Sequence, residues 1–163
     1  DCEELRKVGI DPATVAGVPH PALFSRFCDA VGTDRVALGT PIAATTRWRT
    51  RFLDFLQAAT PAEAVGALGL GTEHVVRPIY EQLLAGIIGM GTLRREEFVF
   101  FELHCLVDDQ HQQDLLDIAR DLITAPGGYE GLRRGMQTAL EMRREFWDYL
   151  YSEVRNNQLA NPA

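Results

Sequence analysis

Apolar residues recur along this chain at the three- and four-residue spacing of one helix face. Leu23, Phe24, Phe27 and Val31 are one example, and Trp48, Phe52, Phe55 and Leu56 are another. The same spacing predicts helices over residues 20–31, 41–58, 61–88, 93–123 and 129–154. A short polar segment, residues 1–7, is predicted to be the end of a further helix.

Glycine and proline separate these segments. Gly9-Ile-Asp-Pro12 and Gly17-Val-Pro19 predict a loop, and Ala125-Pro-Gly-Gly128 predicts a firm break. No window combines strand alternation with hairpin residues. We therefore predict an all-α fold, a bundle of five helices plus a first core helix that is truncated at Asp1, with upstream sequence expected. We assign residues 1–155 to one helical domain and residues 156–163 to a frayed tail.

The predicted third helix has the clearest start signal and the most unusual interior. Thr60-Pro61-Ala-Glu63 combines a capping threonine, a proline at the first helical position and a glutamate three residues after the cap. The interior then contains Gly66, Gly69, Gly71 and Pro78, which all lower helix stability. Close contact with another helix, or a local distortion near Glu73, would explain these residues.

Composition narrows the functional classes. The 163 residues carry a net charge of −7 and include 46% hydrophobic residues, as an ordinary soluble domain does. The charge disfavours nucleic acid as a partner, and no apolar run is long enough to cross a membrane. Three widely separated cysteines predict neither a disulfide framework nor a thiolate zinc site, and favour a cytoplasmic location.

The chemistry centres on His104, Asp108 and His111. At 3.6 residues per helical turn, Asp108 lies about 40° and His111 about 20° around the axis from His104, so all three project along one stripe. Two imidazoles and a carboxylate suit a borderline divalent metal. The alternative is that both histidines are ordinary core or surface residues, and the stripe alone leaves the two readings balanced.

Glu73 favours the metal site. It lies among small and apolar residues in Gly69-Leu-Gly-Thr-Glu73, a context that predicts burial and a bridging carboxylate; the alternative is an ordinary exposed glutamate. His20 stands at a helix start and could reach a site, although its position alone is not specific. His74 points about 100° away from Glu73. The sequence lacks H-E-x-x-H, a paired Glu-x-x-His set, a G-x-S-x-G elbow and a P-loop.

On these residues the chain resembles the haem-oxygenase-like diiron oxidases, which are related to TenA/PqqC-type helical proteins. That family carries H-x3-D-x2-H on its third core helix, matched by His104, Asp108 and His111, and a glutamate on its second, matched by Glu73. A histidine before Pro-x-Leu matches His20. The resemblance covers residues 60–150 well. Glu4, or Glu3, matches the family's first-helix glutamate, with a longer gap to His20 than is usual.

The resemblance implies two Fe(II) ions and O2 as co-substrate. Glu73 would bridge the irons, and the other ligands would divide between them. The implied ligands are Glu4, His20, Glu73, His104, Asp108 and His111. It also implies oxidation of an amino-acid-like small molecule, with N-oxygenation of an amine named first. An external electron donor is compatible with this chemistry, and a homodimer is the default assembly.

Three alternatives remain open at the level of sequence. One is a diiron enzyme that desaturates or cleaves an amino or fatty acid. Another is a metal-free TenA/PqqC-like protein that binds an organic ligand. The third is a helical scaffold or partner-binding domain that has kept some of the ligands. Metal content separates the first from the other two.

Overall fold

The computed structural model describes residues 2–33 and 39–160, and side chains within 5–33, 39–106 and 112–156. All regular elements in these ranges are helical, so the predicted all-α class is confirmed. The α-helices are α1 (Cys2–Lys7), α2 (His20–Ala30), α3 (Ala43–Ala58), α4 (Pro61–Val65), α5 (His74–Met90), α6 (Arg95–Ile123) and α7 (Gly128–Ala160). Pro12–Thr14 forms a 3₁₀ turn and Gly66–Glu73 a π-helix. None of the helices in the described ranges is both long enough and apolar enough to cross a bilayer.

The chain forms two compact units. Asp1–Thr40 and Val76–Asp108 make up the first, and Pro41–Val75 and Asp109–Ala163 make up the second. In the first unit, α6 packs its apolar side chains into two buried clusters. Val99 and Leu103 join Ile10 and Leu23 in one cluster, while Phe98 and Phe101 join Ile87 in the other. His104 therefore follows directly on a buried stretch of helix.

In the second unit, glycines bring α7 close to the segment that precedes α5. A Cβ atom on Gly66 would lie 2.1 Å from the carbonyl oxygen of Leu132, and one on Gly135 would lie 2.0 Å from that of Glu63. On Gly71, a Cβ atom would lie 2.7 Å from the Cβ atom of Ala139. No side chain fits at such distances, so the close helix contact predicted from the glycines is confirmed.

The predicted single helix over residues 61–88 is three consecutive segments. It starts at Pro61 with the expected capping box, in which Thr60 Oγ1 accepts from the Glu63 amide and the Glu63 carboxylate accepts from the Thr60 amide. The π-helix Gly66–Glu73 follows before α5 begins at His74. The distortion predicted near Glu73 is therefore present.

The last helix is longer than predicted. α7 continues to Ala160, past the expected end at Val154, so residues 156–160 of the predicted tail are helical. Asn156, Asn157 and Gln158 are polar but none is a strong helix breaker, and the next proline is Pro162. Polar residues alone therefore do not indicate where a helix ends.

Candidate metal centre

His104 is held in an orientation that suits a metal ligand. It lies on α6, half-buried, and its Nδ1 atom is 2.7 Å from the carbonyl oxygen of Phe100, one turn earlier. A carbonyl oxygen only accepts hydrogen bonds, so Nδ1 must carry the proton. The neutral ring then has its lone pair on Nε2. Metal-bound histidines commonly have their other ring nitrogen fixed in this way.

The structure brings His20 next to His104. His20 is the first residue of α2 and is solvent-exposed, and its ring centroid is 5.0 Å from that of His104 at an interplanar angle of 61°. With nitrogen–metal distances of about 2.1 Å and angles of about 90–109° at the metal, two ligand rings have centroids about 4.6–5.3 Å apart. The observed separation is thus compatible with two imidazoles on one ion.

Tyr80 is a neighbour of His104 that the sequence did not predict. Its ring, on α5, stacks on the imidazole with a centroid distance of 5.0 Å and an interplanar angle of 19°. Phe100 packs against the same imidazole with a centroid distance of 4.2 Å, and the ring centroids of Tyr80 and Phe101 lie 5.6 Å apart. His104 therefore has an aromatic surround. In the sequence, Tyr80 is only an aromatic residue within a predicted helix. Such a residue does not by itself indicate contact with a histidine.

Glu73 lies in the second unit, at the last position of the π-helix. It is half-buried, whereas its sequence context predicts burial, and its backbone carbonyl oxygen accepts a hydrogen bond of 3.3 Å from Gln112 Nε2. The insertion of a π turn changes which residues share a helix face. Glu73 therefore does not share a face with the residues that an unbroken α-helix would place beside it.

The other three predicted ligands lie outside the described side chains. Glu4 belongs to α1, and Asp108 and His111 belong to α6, so their backbones are helical as expected. Continuous helix through residues 104–111 preserves the i, i+4, i+7 spacing on which the stripe depends. Among the side chains that are described, no group of three or more histidines, cysteines or acids is placed to hold a metal ion.

The donor types nevertheless fit iron. Imidazole nitrogen suits iron, zinc and copper, and carboxylates favour harder divalent ions, so a mixed set selects borderline metals such as Fe(II). Two structural observations support this fit. One is the hydrogen bond that fixes Nδ1 of His104, and the other is the distance between the ring centroids of His104 and His20. His74, which we did not predict as a ligand, is exposed at the start of α5.

A separate apolar cavity of about 280 Å³ lies wholly within the second unit. Leu70, Leu116, Leu132 and Met136 are among its lining residues. The two arginines at its wall are ion-paired on their own helices, Arg120 with Asp117 and Arg133 with Glu130. Its lining contains no histidine, cysteine or acid, so it differs in chemistry from the His20–His104 region.

Comparison with known proteins places the chain in a family. The model of a family described as "iron-containing redox enzyme" matches residues 5–144, which is most of the chain. Comparisons with curated proteins and with solved structures gave no match. The family match confirms the resemblance to haem-oxygenase-like iron proteins that the motifs indicate, and with it an oxidoreductase function. The chain belongs to the family of iron-containing redox enzymes.

Proposed function

We propose that this protein is a non-haem diiron enzyme that activates O2 to oxidise an amino-acid-derived small molecule. The observation that carries the proposal is the arrangement at His104. Its Nδ1 donates a hydrogen bond to the Phe100 carbonyl oxygen, and its ring centroid lies 5.0 Å from that of His20. Family membership supports iron as the metal. The number of irons and the use of O2 come from the motif resemblance.

The proposed ligands are the six residues that the sequence pattern selects. His104, Asp108 and His111 stand at the i, i+4 and i+7 positions of α6, and Glu73, His20 and Glu4 would complete the set. Bound iron would supply electrons and Lewis acidity. The protein's part is to hold the ligands in position and to limit access of water. The rings of Tyr80 and Phe100 pack against His104 and would serve the first purpose.

Metal analysis tests the proposal directly. After anaerobic loading with Fe(II) and removal of excess ion, we expect about two irons per chain. His104→Ala should lower the retained iron, because removing one protein ligand weakens its site. His74→Ala is the matched control, since His74 is an exposed histidine outside the proposed set. Less than about 0.2 iron per wild-type chain, well below one metal per site, would refute a diiron centre.

We propose N-oxygenation of an amine as the reaction. A screen of amino acids and their amine derivatives for O2 consumption would identify a substrate. Mass spectrometry after reaction under ¹⁸O2 would then identify the product class. N-oxygenation adds one or more ¹⁸O atoms to the product nitrogen. Desaturation removes two hydrogens without adding oxygen, and carbon–carbon cleavage shortens the substrate, so either result would replace N-oxygenation by the second candidate reaction.

A further inference from the structure

The aromatic ring of Tyr80 has a specific relation to the imidazole of His104. The two rings are close to parallel, at 19°, with centroids 5.0 Å apart. The other rings near His104 are inclined more steeply, His20 at 61° and Phe100 at 49°. Tyr80 is therefore the residue that covers one face of the imidazole. It is itself half-buried and packed against Phe100 and Phe101.

A stacked neighbour restricts how an imidazole can turn. The hydrogen bond from Nδ1 to the Phe100 carbonyl fixes one edge of the ring, but the ring can still tilt about that bond. Contact with the Tyr80 face opposes this tilt, because the ring would have to displace a packed side chain. A metal-bound imidazole also carries partial positive charge, which the electron-rich face of tyrosine stabilises. Both effects favour the ligand orientation.

We propose that Tyr80 is a positioning residue for His104, which holds the imidazole with Nε2 directed for metal binding. The inference rests on the proposed function, since it assumes that His104 is a ligand. It adds a residue outside the ligand motif, from a different helix. The stack requires an aromatic ring at position 80, so phenylalanine should replace tyrosine, whereas leucine should not.

The test measures Co(II) binding and His104 order in Tyr80→Phe, Tyr80→Leu and wild-type protein. Co(II) is the probe because its ligand-field bands report coordination geometry. We expect Tyr80→Leu to weaken Co(II) binding about 10-fold, as loss of a ligand-supporting contact does, and to alter the bands. Tyr80→Phe should stay within about 3-fold of wild type. Tyr151→Leu is the matched control, because Tyr151 is 65% exposed on α7.

A second readout needs no metal. In the apo-protein, the side-chain NMR signals of His104 should be sharp in wild type and Tyr80→Phe, and broadened by exchange in Tyr80→Leu. Unchanged signals and unchanged Co(II) affinity in a folded Tyr80→Leu protein would overturn the inference. If that variant does not fold, Tyr80→Met, which fills space without a ring, replaces it. Absence of Co(II) binding in wild type would instead refute the proposed metal centre, while the NMR comparison would still decide whether Tyr80 orders His104.

Discussion

Glu63 illustrates how a single side chain fixes the start of a helix. Its carboxylate accepts hydrogen bonds of 2.8 Å from both the amide and the hydroxyl of Thr60, and it pairs with Arg134 of α7 at 3.0 Å. These interactions, led by the hydrogen bond from the Thr60 amide, lower the pKa of Glu63 from 4.5 to about 2. The charged form is thus the one that the folded protein stabilises.

This lowered pKa predicts a pH-dependent contribution to stability. Because the folded pKa lies below the ordinary value, the stabilisation is fully present above pH 4.5 and is lost as the pH falls towards about 2. Glu63→Gln should therefore lower the free energy of unfolding by about 1 kcal/mol at neutral pH, a typical capping contribution. Urea unfolding at neutral pH and at pH 3 would measure this difference. A difference that grows on acidification would contradict the assignment.

The predictability of individual residues depends on how local their interactions are. The capping box is encoded within Thr60–Glu63, so the sequence predicts both partners correctly. The hydrogen bond from His104 Nδ1 to the Phe100 carbonyl oxygen also joins residues one helical turn apart. It depends on the side-chain rotamer of His104, which the sequence pattern does not specify. Tyr80 was missed because its stack on His104 joins two helices. Pairing between distant positions leaves no periodic trace in one sequence.

At the scale of elements, the glycines of the second unit have two separate effects. Gly66 and Gly71 permit contact with α7, and they also weaken the α-helical preference of the segment that becomes a π-helix. Thr72 adds a local stabilisation, since its hydroxyl donates a 2.9 Å hydrogen bond to the carbonyl oxygen of Ala67. The same segment ends at Glu73, so the packing against α7 and the position of a proposed ligand both depend on one element.

Alanine substitutions should separate contact glycines from tolerant ones. Gly66→Ala places a methyl group 2.1 Å from the Leu132 carbonyl oxygen, so α7 must move. We expect a loss of about 1–3 kcal/mol or more in the free energy of unfolding. Gly86→Ala, in α5, meets nothing within 4 Å and should instead gain about 0.5–1 kcal/mol from helix propensity. Chemical denaturation compares the two, and a neutral Gly66→Ala would argue against the tight contact.

Element boundaries could be predicted where a breaker or cap is present. The starts of α2 at His20 and α4 at Pro61 and the end of α6 at Ile123 agree with the sequence-based limits. The π-helix could be anticipated only as an unspecified distortion, because the choice between i+4 and i+5 bonding depends on packing against α7. The end of α7 was placed too early, since polar residues do not end a helix unless the backbone is also disfavoured.

At the scale of the whole molecule, the all-α class follows from helical spacing throughout the chain. The division into two compact units does not. Its limit at Thr40–Pro41 falls in a stretch with glycine and proline, but the limits at Val75–Val76 and Asp108–Asp109 fall inside α5 and α6. Limits between parts of a chain are normally inferred from linker composition, and a limit inside a helix has no such signal.

Metal binding should stabilise the folded chain as a whole. A ligand that binds only the folded state, at 100 times its dissociation constant, adds about 2.7 kcal/mol to the free energy of unfolding. For a chain of this size that corresponds to a rise of about 5–10 °C in melting temperature. We expect anaerobic Fe(II) to produce such a shift in wild-type protein and in His74→Ala, and a much smaller one in His104→Ala. An equal shift in all three proteins would show that Fe(II) binds elsewhere, because His104 would then contribute nothing to the stabilising site.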